Sequence, residues 1–183
     1  MIKNILITGG AGYIGSHIAE ILINKKKNIF ILDNLSTGHK KLIQKKARFF
    51  LADIRSSKQI KKILNNHKID SVIHLAAALS VNESEKKPLK YKSINIDGTK
   101  KLLISIKDSY VKNLIFSSTC AVYKDGLSKV SEKSPLKPLS VYGKTKLAGE
   151  NLIKRFCKKE GINFGILRFF NVAGASPSGK IGQ

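Results

Sequence analysis

Tryptophan is absent from these 183 residues, cysteine occurs twice, proline four times and acidic side chains only 12 times. Cys120 and Cys157 stand far apart, with neither metal-ligand spacing nor the makings of a disulfide framework, so no metal site is expected and a reducing, cytoplasmic setting fits. Few prolines and a hydrophobic content of 42% exclude a low-complexity chain and suit one domain with a sizeable core. No stretch approaches the run of about 18 apolar residues that a membrane span needs. The opening MIKNILITGG meets glycines after three aliphatics, which reads as a strand and a turn rather than a signal peptide. Arginine is scarce as well. Of 34 basic residues only Arg48, Arg55, Arg155 and Arg168 are arginines, and the lysines lie in short clusters without interleaved aromatics. The net charge of +22 therefore implies loose, salt-sensitive adhesion to polyanions, not specific nucleic-acid recognition.

What is present is an alternation. The apolar runs NILIT, IFILD, ARFFLA, SVIHLA, NLIFSS and NFGILRFF are separated by helix-like segments at Ile14–Lys26, Thr37–Lys45, Ser57–Asn66, Pro88–Ser109 and Tyr142–Glu160. Continuous β-branched and aliphatic strands between amphipathic helices predict an α/β fold, a doubly wound, mostly parallel sheet covered on both faces. Lys124–Leu139, with its prolines, serines and lysines, predicts a long surface loop.

The first turn, ITGGAGYIGSH, carries Gly10, Gly12 and Gly15 as G-x-G-x-x-G and Gly9, Gly12 and Gly15 as the wider-spaced variant. Set between a strand and a helix, such glycines allow the backbone and the helix N-terminus to approach a dinucleotide pyrophosphate. Asp33 ends the second strand, where a carboxylate accepts from an adenosine ribose and favours NAD over NADP, or else caps a turn. Asp53 is a candidate for the adenine amino group with Ile54 against the ring, or for a loop cap. Asn95 either anchors backbone near the cofactor or satisfies its own helix.

SVYGKTK sets Tyr142 and Lys146 one turn apart on one helix face. A phenol is a poor base at neutral pH, and a nearby ammonium favours its ionised form. Tyr142 is thus a candidate acid/base and Lys146 a candidate for the nicotinamide ribose. In FSSTCAVY, Ser117, Ser118 and Thr119 end the fifth strand, where open α/β sheets bind ligands.

Together with LDNLSTG, DIR, IHLAA, the Glu83–Ser84 pair, PLKY, INIDGT and LRFFNVAGASPSGKIG, these motifs resemble the extended branch of the short-chain dehydrogenase/reductase family, and within it the UDP-glucose 4-epimerases. The resemblance runs almost end to end. It implies a Rossmann domain over residues 1–170, with 171–183 beginning the crossover into a substrate domain. It implies tightly held NAD, interconversion of UDP-glucose and UDP-galactose through transient oxidation at C4, and a homodimer. Residue by residue it implies Tyr142 as base, Lys146 as its partner and Thr119 at the catalytic hydroxyl position. Cofactor contacts fall on Gly9, Gly12, Tyr13, Ile14, Gly15, the run Asp33, Asn34, Leu35, Ser36, Thr37 and Gly38, then Asp53, Ile54, Leu75, Ala76, Ala77, Ala78, Leu79, Asn95 and Phe170. Asn171, with Thr119 and Tyr142, faces the sugar nucleotide.

Departures are Leu79, where some members place a lysine, and Lys124 in place of a glycine. Family members are roughly twice as long. The chain is therefore expected to lack most uridine-diphosphate contacts and to be inactive alone. Alternatives are another nucleotide-sugar epimerase, a dehydratase with Asp125 or Glu132 as carboxylate, or a non-catalytic NAD-binding module.

Overall fold

A computed structural model of the chain describes residues 2–177, 179 and 181–182. Ser178, Lys180 and Gln183, in the expected crossover segment, lie outside the described residues. Six parallel strands, β1 (Asn4–Thr8), β2 (Asn28–Asp33), β3 (Arg48–Leu51), β4 (Ser71–His74), β5 (Asn113–Thr119) and β6 (Asn163–Phe169), form one sheet in the order β3-β2-β1-β4-β5-β6. All five pairings are parallel, and β1 lies between β2 and β4, so strand order reverses there. The predicted doubly wound Rossmann architecture is present.

Alternation along each strand divides the core into two layers. Leu6, Phe30, Leu32, Val72, Leu114 and Phe116 point to one face and pack with α2 (Ser57–Asn66), α5 (Gly98–Ile106) and α6 (Val141–Glu160) through Ile60, Leu64, Leu102, Ile106 and Ile153. Ile5, Ile7, Ile29 and Ile31 point to the other face, against Ala19 and its neighbours on α1 (Tyr13–Asn24). That second layer is narrower, and Leu167 on β6 remains exposed. Both faces are apolar, so polar chemistry is displaced to the strand ends.

Two expected helices differ. Thr37–Lys45 holds only a short 3₁₀ turn at Lys40–Leu42, because the preceding loop folds back onto the glycine turn, His39 N–H donating to the Ala11 carbonyl at 2.9 Å. Pro88–Ser109 is divided into α4 (Pro88–Tyr91), a π-helical stretch Lys92–Asp97, and α5. A short helix, α3 (Val81–Lys86), was not legible in the hydrophobic pattern.

β6 is tied to α6 by charge. Arg168 donates from Nε and Nη2 to both oxygens of Glu150 at 2.9 and 2.8 Å, and Ser118 adds a third bond at 2.6 Å. Nη1 of Arg168 reaches the Tyr123 hydroxyl and the Glu132 carbonyl, drawing the 124–139 loop onto the sheet edge. Burial pushes the Glu150 carboxyl up, but the hydrogen bonds from Arg168 and Ser118 outweigh it and hold the group below its ordinary value. Arg168→Ala leaves a fully buried carboxylate with only Ser118 and a 3.4 Å contact to Lys154, and a stability loss of about 3 kcal/mol at pH 7 is expected in chemical denaturation. A lowered carboxylate pKa gives stability that is present above the ordinary value of 4.5 and lost as pH falls through the folded value. The deficit of the variant should therefore shrink on acidification below about 4.5, and a deficit independent of pH would contradict the ion-pair origin.

Candidate active site at the carboxyl ends of the strands

The turn between β1 and α1 is compact because its glycines leave no room for side chains. Gly9 has φ +74°, and a Cβ there would lie 2.7 Å from the Ala76 nitrogen. A Cβ on Gly15 would lie 2.4 Å from the Gly9 carbonyl oxygen. Among the described residues no side chain caps α1; no acidic residue stands in its first turn, and its first intrahelical bond runs from Ser16 N–H to Gly12. Tyr13, Ile14 and Gly15 therefore present N–H groups without side-chain partners, at the positive end of a helix. The Tyr13 hydroxyl donates to the Gly174 carbonyl at 2.7 Å, which brings the segment after β6 beside this turn.

Asp33, nearly buried, accepts from Ala11 N–H at 3.0 Å on one carboxylate oxygen and from Leu35 N–H at 2.8 Å on the other. The turn-capping reading of Asp33 is thus realised, and each oxygen keeps a further lone pair. Asn34 to Gly38 wrap around it, Gly38 packing against Ala11 and the Asp33 carboxylate. Asp53 binds Arg55 through both oxygens at 2.8 Å, accepts the Arg55 N–H and receives Asn34 Nδ2 at 3.1 Å. The Arg55 hydrogen bond, opposed by burial, holds the carboxyl well below the carboxylate range. Asp53 caps the loop in this arrangement, and the neighbouring Ile54 is buried against Gly98.

Asn95, in the π-helical stretch, does not satisfy its own helix. Its amide brackets the Ala78 peptide, accepting the N–H at 2.8 Å and donating to the carbonyl at 3.0 Å, and donates also to Thr145 on α6 at 3.0 Å. A π turn redirects a side chain that α-helical geometry would send elsewhere. Behind Asn95 runs a buried chain that sequence reading missed. The single Thr99 hydroxyl proton goes to the Asn95 carbonyl at 2.7 Å, so His74 Nε2–H must donate to Thr99 at 3.0 Å. Nδ1 is then the acceptor for the Thr8 hydroxyl at 2.8 Å. Burial, with Lys146 adding to it, pushes the imidazole down to about 3, consistent with this neutral tautomer. A lone histidine ending an apolar strand gave no signal of it.

Tyr142 lies in the first turn of α6 and Lys146 one turn on. Lys146 is 3% exposed, with its ammonium 4.5 Å from the centre of the Phe116 ring. Among the described residues no carboxylate or carbonyl takes a hydrogen bond from it. Burial pushes its pKa down to about 8, Glu150 acting weakly the other way. Burial also pushes the Tyr142 phenol up, and the Thr119 hydroxyl pulls it back. The expected lowering by Lys146 does not offset that burial. Thr119 accepts the Ala121 N–H at 3.2 Å, which leaves its own proton for the Tyr142 oxygen. Ser118 is separated from it by the strand pleat and committed to Glu150. Leu79, Phe170 and Asn171 are exposed at the same end of the sheet. A cleft of about 630 Å³ at the opposite, amino ends of the strands is lined by Lys26, Lys27, Lys46, Arg48, His67 and Lys68, and none of the candidate site residues line it.

A buried lysine without an anion is a cost that its site must offset. A pKa lowered from 10.5 to about 8 disfavours the folded state fully below the lower value, and the cost fades as pH rises toward the upper one. Lys146→Met is expected to raise stability by about 2 kcal/mol at pH 7, and by little near pH 10.5, in denaturation at both pH values. Equal stability of the two proteins at pH 7 would contradict an unpaired buried ammonium.

The family described as NAD dependent epimerase/dehydratase matches residues 5–183. UDP-glucose 4-epimerase of Lactobacillus helveticus is 44% identical over 182 residues, which is 98% of this chain and 54% of that protein. The structure of UDP-glucose 4-epimerase from Brucella ovis in complex with NAD is similar with TM-score 0.94 at 35% identity, covering 99% of this chain and 56% of that one. That from Bifidobacterium longum in complex with NAD+ and UDP is similar with TM-score 0.93 at 30% identity, covering 99% and 57%. The chain spans about half the length of the curated relatives it matches. Glycine turn, strand order and matched span agree, and the chain belongs to the NAD dependent epimerase/dehydratase family.

Proposed function

We propose that this chain binds NAD and supplies the cofactor half and the acid/base group of a UDP-glucose 4-epimerase. The observation that carries this reading is the convergence, at one end of the sheet, of an uncapped helix N-terminus with a buried, anion-free lysine one turn from a tyrosine. The residues fit the cofactor. The N–H groups of Tyr13, Ile14 and Gly15 receive a pyrophosphate, and the remaining lone pairs of Asp33 receive ribose hydroxyls. Leu75 to Leu79, Asn95 and Phe170 border the nicotinamide half. Lys146 gains hydroxyl partners from the nicotinamide ribose and loses its uncompensated burial. When bound, NAD supplies reversible hydride acceptance at C4 of the hexose.

Tyr142 takes the proton of the C4 hydroxyl and later returns it, and the Thr119 hydroxyl, which bonds Tyr142 here, turns to donate to the same substrate oxygen. Positive charge brought in by the oxidised cofactor stabilises the phenolate that burial alone opposes. Asn171 faces the sugar nucleotide. Residues 1–170 form the NAD-binding domain, and 171–183 begin the passage to a substrate domain. The isolated thiols, one of them buried, suit a cytoplasmic setting, and a homodimer is part of the same reading.

The test is interconversion of UDP-glucose and UDP-galactose by the protein that contains these residues, with the 183-residue polypeptide run in parallel. Interconversion lowered at least about a hundredfold by Tyr142→Phe, with NAD binding kept, is the expected result. The 183-residue polypeptide alone is expected to bind NAD without turnover. Interconversion that survives Tyr142→Phe would overturn the assignment of the acid/base.

A further inference from the structure

Three consecutive residues outside the roles assigned above, Glu83, Ser84 and Glu85, each hold a different part of Tyr142's surroundings. Ser84 is completely buried on α3, and its hydroxyl accepts the Tyr142 N–H at 3.0 Å while donating to the Val81 carbonyl at 2.6 Å. Glu85 accepts the Val141 N–H at 2.7 Å. The N-cap of α6 itself, Ser140, accepts the Gly143 N–H at 3.0 Å. Every N–H of the first turn, from Val141 to Gly143, thus has a side-chain acceptor, and two of the three acceptors come from α3. Glu83 acts on the ring. Its carboxylate accepts the hydroxyl of fully buried Tyr91 at 3.1 Å, and Tyr91 stands edge-on to the Tyr142 ring with 6.5 Å between centroids.

A helix ordinarily caps itself with one side chain, and capping is worth about 1 kcal/mol. Here another helix, which begins directly after Leu75–Leu79, adds two acceptors beside α6's own cap at Ser140. That run is pinned in turn by Asn95, which also holds Thr145 on α6. The loop bordering the proposed cofactor and the first turn of the tyrosine helix are therefore fixed to one another at both ends of a short segment.

We propose that Glu83–Ser84–Glu85 is a positioning device for the acid/base. It sets the height and rotation of Tyr142 against the cofactor-bordering loop, so that cofactor and phenol are placed by the same piece of chain. This rests on the reading of Tyr142 as the acid/base. Ser84 and Glu85 bond the backbone N–H groups of Tyr142 and Val141, not the Tyr142 hydroxyl. They act through the backbone of Val141 and Tyr142, and the carboxylate of Glu85 also meets the positive end of a 20-residue helix.

The experiment compares Ser84→Ala, Glu85→Ala and the hydroxyl-retaining Ser84→Thr. In the 183-residue polypeptide saturated with NAD, the Tyr142 phenol is titrated by 13C NMR of labelled tyrosine, the Tyr142 resonance being identified by its loss in Tyr142→Phe. In the protein containing these residues, kcat and KM for UDP-galactose are measured. Expected are NAD affinities within about twofold of wild type and a phenol midpoint moved by at least about half a unit. A kcat lowered about tenfold to a hundredfold with KM little changed is expected alongside, and recovery of both in Ser84→Thr.

An unmoved midpoint and unchanged kcat in both alanine variants would overturn the proposal. So would parallel loss of folding and NAD binding in both, which marks a purely structural role. If wild-type turnover proves indifferent to Tyr142→Phe, the acid/base reading itself has failed and the proposal falls with it. That outcome is separable, because it requires no change at Ser84 or Glu85.

Discussion

A helix that starts inside a protein must find partners for its first N–H groups, and this molecule meets that requirement in opposite ways at its two chemically important helices. At α6 all three first-turn donors are matched by the side chains of Glu85, Ser84 and Ser140. At α1 no side chain among the described residues caps the corresponding donors, and glycine at Gly9, Gly12 and Gly15 clears the space before them. The first arrangement fixes a side chain in place. The second leaves a positively polarised gap that suits an anion. All six strands run parallel, so α1 after β1 and α6 between β5 and β6 both start at the carboxyl ends of the strands.

Burial explains the remaining electrostatics. The core layers are nearly free of charge, and the charged groups that penetrate them behave in two ways. Glu150 meets Arg168 and Ser118 and becomes a fastening between β6, α6 and the long loop. Lys146, four residues earlier on the same helix, has an aromatic ring instead of an anion, and desolvation lowers its pKa to about 8, so it stays mostly charged at pH 7. The contrast separates a charge that is paired from one that is not. The buried chain Thr8–His74–Thr99–Asn95 is uncharged and fully paired. Each of its protons has one available acceptor, and it locks β1, β4 and the π turn into register.

Much of this was legible in the sequence. Apolar runs bounded by turns predicted all six strands, because strands buried on both faces carry consecutive aliphatics. The glycine spacing located the first turn, and the Tyr142–Lys146 spacing located a shared helix face. Elements fixed by tertiary hydrogen bonds were not legible. The π turn at Lys92–Asp97 exists to aim Asn95 at Ala78 and Thr145, and nothing in its local pattern departs from an ordinary helix. Helix α3 is too short and too polar to show a periodicity, since its work is done by Ser84 and the two glutamates rather than by an apolar face. The segment expected as a helix at Thr37–Lys45 yielded to packing over the glycine turn. Asp53 pairs with Arg55 two residues later, a contact that the spacing alone does not reveal.

The central claim is that these residues form a dinucleotide site whose open helix end and unpaired lysine are complementary to NAD. Calorimetric titration of NAD and of NADP into the folded 183-residue polypeptide tests it most directly. The account predicts saturable binding of one NAD per chain, with NADP weaker by at least about tenfold because Asp33 faces its extra phosphate. A folded chain that binds neither dinucleotide, or prefers NADP, would contradict it.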